Sequence, residues 1–107
     1  MSIKESDWKA LRKLHETALE RFCERVLVEC RELSADRSVN AHERYLLLFE
    51  FLRDRNEDIA RAFDDMRRSR AVERLVAMLD LGVVTDEELR EFSPEMRREV
   101  ERLQAAR

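Results

Sequence analysis

Residues 41–66, AHERYLLLFEFLRDRNEDIARAFDDM, decide how this chain is read. Ala41, Tyr45, Leu48, Leu52, Ile59, Phe63 and Met66 recur at helical spacing and share one face, with Arg55 and Asn56 filling the gap. The first half of the segment is apolar on other faces as well. Leu46, Leu47, Phe49 and Phe51 point in several directions, so residues 45–52 need cover nearly all round. That cover is either the centre of the monomer or a partner. The polar run Arg53 to Asp58 leaves open whether the helix is continuous or kinked there. Asn40 and Glu43 have capping-box spacing and place its start near Ala41.

Upstream, the spacing predicts a first helix from about Lys4 to Leu33. Trp8, Leu11, His15, Ala18, Phe22, Val26, Cys30 and Leu33 form its stripe, which Leu19 and Cys23 widen. Ser2 and Glu5 carry the spacing of a start near residue 3. The link 34–40, SADRSVN, is rich in side chains that bond their own backbone. A link this short favours an antiparallel hairpin.

Downstream, Val72, Leu75, Val76 and Leu79 fall about 170° from the preceding stripe, so the chain must turn near Arg67–Ser69. Ser69 is the expected N-cap of a third helix over 70–81, and Gly82 its C-terminal cap. Thr85 with Glu88 opens a short helix at 86–91. Ser93-Pro94-Glu95 opens the last one, 94 to about 104. The chain holds one glycine and one proline, with 42% charged and 44% hydrophobic residues. The reading is an all-α small helical bundle: a long antiparallel hairpin plus two or three shorter C-terminal helices, as one domain over 1–107.

Charge is nearly balanced, with 21 basic and 24 acidic side chains and a net charge of −3. No third of the chain is basic overall, which argues against a general polyanion coat. Arginine outnumbers lysine 18 to 3, read as a codon bias of the source genome. No apolar stretch approaches a membrane span, and the first residues are not a secretory signal. Cys23 and Cys30 lie about 10.5 Å apart along one helix, too far to bond each other. Two unpaired thiols point to the cytoplasm.

The chemistry-bearing residues are few. His15 lies in the first apolar stripe and reads as a core histidine bonded to a neighbour. Neither His15 nor His42 has a glutamate three residues before it, so the di-iron bundle motif is missing and no metal or cofactor is expected. Asp64-Asp65 point about 100° apart and read as solvated ion pairs. Glu29 sits at the stripe's edge, with Arg25 one turn back as its ion-pair partner. A nucleophile motif and a glycine loop are missing, so catalysis is not expected.

Two surfaces remain. One is a partner-binding surface, made from Leu46, Leu47, Phe49 and Phe51 or from the thin C-terminal seam Leu89, Phe92, Met96, Val100 and Leu103. It implies a homo-oligomer or another helical protein as partner. The other is a basic corner, Arg67, Arg68, Arg70 and Arg74, with Glu73 its one acid, suited to phosphates of a nucleic acid. The favoured expectation is a non-catalytic helical module that self-associates or docks on a partner. Nucleic-acid binding through the corner is the alternative, and after it an enzyme whose site forms only in the fold, with His15 and Glu29 the first residues to consider.

Overall fold

A computed structural model describes residues 3–107 of the chain. It is all-α, and no strand occurs among the described residues. Helix α1 runs Glu5–Ala35, α2 Ala41–Phe63, α3 Ala71–Asp80, α4 Asp86–Arg90 and α5 Pro94–Ala105, with a single 3₁₀ turn at Arg68–Arg70 before α3. The molecule is elongated, 52 × 24 × 22 Å. Helices α1 and α2 form the long hairpin, and α3, α4 and α5 pack beside one end of it.

The core lies at that end. Leu11, Leu14, Ala18, Phe22 and Val26 of α1 meet Ala62 and Phe63 of α2, Leu75, Val76 and Met78 of α3, then Phe92, Met96 and Val100. Burying each large apolar side chain contributes about 1.5–3 kcal/mol. This end is the head, and the rest of the hairpin is the arm.

The buried stripe of α1 is Asp7, Leu11, Leu14, Ala18, Phe22 and Val26. Trp8 and His15 lie at its edge and are only half-buried. The stripe is therefore rotated from the expected one, because α3 and α5 approach α1 from the Asp7–Leu14 side. Helix α2 runs unbroken through Arg53–Asp58 and ends at Phe63, before Met66. Asp65 takes a left-handed φ of 54°, which an aspartate tolerates, and turns the chain three residues earlier than expected. Ser69 falls inside the 3₁₀ turn and does not cap α3, whose N-cap position is Arg70. The start signal on Ser2 lies outside the described residues; Lys4 occupies the N-cap position of α1, without a side-chain cap.

The remaining local signals hold. The Asn40 side chain accepts from the Glu43 amide at 2.9 Å. Thr85 and Glu88 form a reciprocal capping box, and the Ser93 hydroxyl accepts from Met96 ahead of Pro94. Gly82, at φ 71°, sits where a side chain would be strained.

Arginine closes most of the remaining helix ends. Arg44 donates to the carbonyls of Ser34 and Val39, which finishes α1. Arg74 donates to those of Arg61 and Asp64, which finishes α2. Arg25 reaches the Leu81 carbonyl behind α3 at 2.6 Å, and Arg21 the Val83 carbonyl at 3.0 Å. A forked guanidinium satisfies two orphan carbonyls at once, which an ammonium does less well. The excess of arginine over lysine thus has a structural use beyond codon bias.

Candidate protein-docking surface

The arm leaves large apolar side chains in water. Tyr45 is 66% exposed, Phe49 58%, Leu27 50%, Leu46 and Leu47 44%, Val28 42% and Leu52 39%. Of α2, only Ala62 and Phe63 are buried. Leu46, Leu47 and Phe49 are therefore not sheltered by the protomer. Phe51 is not: it is half-buried against the core, with the Arg55 guanidinium 5.2 Å above its ring. Tyr45 and Leu52, assigned by spacing to the inward stripe, are exposed because the head covers only the far end of α2.

Helical geometry gathers several of these residues. At 100° per residue Leu19, Cys23, Leu27 and Cys30 fall within about 80° on α1. Tyr45, Phe49, Leu52, Asn56 and Ile59 fall within about 80° on α2. Each group is turned in the same sense from the line where the two helices meet. In an antiparallel pair of right-handed helices, that puts both groups on one side. On α1 this flank lies about 150° from the Asp7–Ala18 stripe that faces the head. The groove between the helices on the other side, near Arg25, Glu29, Arg55 and Asp58, is closed at its base by Asp80 and Leu81 of the head. The apolar flank is thus turned away from α3–α5.

The C-terminal seam has a different fate. Phe92, Met96 and Val100 are buried inside the protomer, and Leu89 and Leu103 pack half-buried on the same core. The seam meets its own chain, because the turn at Asp64–Arg70 folds α3 and α5 back onto α1. It offers no free apolar stripe, which corrects its reading as a partner surface.

The basic corner is occupied by its own carboxylates and carbonyls. Arg67 pairs with Asp65 at 2.6 Å, and Arg70 with Glu73 and Asp65. Arg68 bonds Glu5 at 2.6 Å and the Ile3 carbonyl. Arg74 holds the end of α2. A polyanion would have to compete with Asp65, Glu5 and Glu73 for these forks.

His15 donates from Nε2 to the Phe63 carbonyl at 2.8 Å, and its ring stands edge-on to the Phe63 ring. It closes the end of α2. Arg25 turns to Leu81 and stacks on Phe22, so no ion pair forms with Glu29. Asp64 contributes a backbone carbonyl and Asp65 an ion pair, and the two carboxylates do not converge. Cys23 and Cys30 are free and half-buried. Among the described residues, no group of three or more His, Cys, Asp and Glu side chains gathers to hold a metal. Nor, among them, is any helix long and apolar enough to cross a membrane.

Two polar sites escape spacing arguments. Asp7 is 2% exposed and accepts from the Ser93 amide at 2.8 Å and the Ser93 hydroxyl at 2.6 Å, tying the first turn of α1 to the start of α5. The signal was an aspartate in register with Leu11, Leu14 and Ala18. Arg21 grips Glu88 with both fork nitrogens, at 2.6 and 3.0 Å. That fork, and next the Thr85 amide, hold the Glu88 carboxyl down at about 2 against its partial burial. Both sites anchor short helices to α1.

The chain matches no protein-family model, no curated protein and no solved structure.

Proposed function

We propose that this protein is a non-catalytic helical docking module whose arm binds a protein partner. One observation carries the reading: Leu27, Tyr45, Phe49 and Leu52 are 39–66% exposed, on one flank of a hairpin whose own core lies elsewhere. Scattered single apolar residues are ordinary on a surface, but a contiguous patch marks an interaction site. Tyrosine and phenylalanine are also the residues that anchor interfaces. The two free thiols suit a reducing compartment, the cytoplasm.

The test separates service to a partner from service to the fold. The triple variant Tyr45→Ser, Phe49→Ser, Leu52→Ser should keep its helical circular dichroism and lose the association that the wild-type chain shows, with itself or with a partner retained at high salt. A variant that unfolds overturns the reading, since those side chains would then belong to the monomer's core.

A further inference from the structure

Resting on that docking reading, we propose that the occupant of the apolar flank is a second copy of this chain, stacked flank to flank so that the two arms form a four-helix bundle. The first argument is fit. The flank spans 12 residues of α1 and 15 of α2, about 18 and 22 Å, with Leu19, Cys30 and Ile59 half-buried at its ends, and two neighbouring helices make it about 20 Å wide. A flank-to-flank contact over it sits at the small end of interfaces, below the ~800 Å² per partner of standard ones. An unpaired hairpin with one apolar flank needs a like layer above it, and a second hairpin supplies the same length and curvature.

The second argument is charge. Between Leu19 and Cys30 on α1, and between Tyr45 and Ile59 on α2, the residues turned into the flank carry no formal charge. The centre of a contact between two copies therefore opposes no like charges, whereas a strongly charged partner gains nothing there. The rims carry both signs: Glu20, Glu24 and Arg31 beside α1, and Glu50, Arg53 and Glu57 beside α2. When α1 lies on the α2 of a copy pointing the same way, both arms turning at residues 36–40, Glu24 comes level with that copy's Arg53, and Glu20 comes level with its Glu57 farther from the turn. Among the described residues Arg53 reaches only Asp54, at 3.9 Å, which leaves it free for Glu24. The third argument is access. The head lies on the other side of the hairpin, so a copy approaches the flank without meeting α3–α5.

The experiment is the mass of the full chain by light scattering at about 50 μM, above the micromolar end of the affinities that interfaces reach. The expected result is twice the 12.8 kDa of one chain. Phe49→Glu and Leu52→Glu, each at an exposed position, should return the mass to one chain with unchanged circular dichroism, raising the dissociation constant at least about 30-fold. Cys23 and Cys30 add a position-specific check. Both lie against the copy's α2 in the proposed dimer, so a thiol reagent should label them more slowly in the wild type than in Leu52→Glu. A wild-type mass of one chain overturns the second-copy proposal, and thiol reactivity then judges the docking reading separately. Rapid labelling of Cys23 and Cys30 in that monomer leaves the flank open for a different partner. Slow labelling, matched by slow labelling in Leu52→Glu, overturns the docking reading too.

Discussion

The head and the arm are made from the same two helices, yet one is a core and the other is bare. In the head, α1 buries six residues between Asp7 and Val26, and every apolar stripe of α3 and α5 finds a neighbour. In the arm, α1 continues to Ala35 and α2 begins at Ala41 with no third helix to cover them. The lesson is that helix length and core size are set separately here. The head needs only about half of the hairpin for its own packing, and the extension carries large apolar side chains that the head does not use.

The widest contrast is between Leu75 and Leu52. Leu75 is fully buried, and Leu75→Ala should cost about 3 kcal/mol in a urea melt. The same truncation at Leu52 should change the melt of the monomeric form by less than about 0.5 kcal/mol. Equal losses at the two sites would erase the distinction between head and arm.

Asp7 sharpens the comparison from within the head. Asp7→Ala leaves the Ser93 amide and hydroxyl without their buried acceptor and should cost about 2 kcal/mol. Hydrogen exchange should show the loss as fraying of α5, with the tip of the arm unaffected.

The smallest effect concerns acid. The Glu88 carboxyl sits at about 2 against an ordinary 4.5, held first by Arg21. The folded form therefore holds this proton more weakly than the unfolded chain does. The contribution is complete above pH 4.5 and is lost as the pH falls from there toward 2. Glu88→Gln should remove about 1 kcal/mol at neutral pH, as expected of a partly exposed pair, and flatten the acid limb of the stability profile by the same amount. An unchanged acid limb would mean that the α4 contact is not formed in solution.

Much of the fold was legible because local signals are strong. Asn40, Thr85, Ser93 and Gly82 sit where their short-range chemistry demands, and the apolar excess of 45–52 was visible as an excess. What was not legible depended on distant residues. The side from which α3–α5 approach fixes which face of α1 is core, so Leu14 replaced Trp8 in the buried stripe. The same approach consumed Phe92, Met96 and Val100 inside the protomer. It also left Tyr45 and Leu52 outside, though their spacing matches that of Phe63. Asp7 was invisible for a related reason: its partner, Ser93, is 86 residues away.

The guanidinium groups that close α1, α2 and α3 stay charged at any pH a folded protein meets. The joints between these helices should therefore hold in acid and in base alike. Acid acts instead on the Glu88 carboxylate, so α4 should come away from α1 while the long hairpin stays joined.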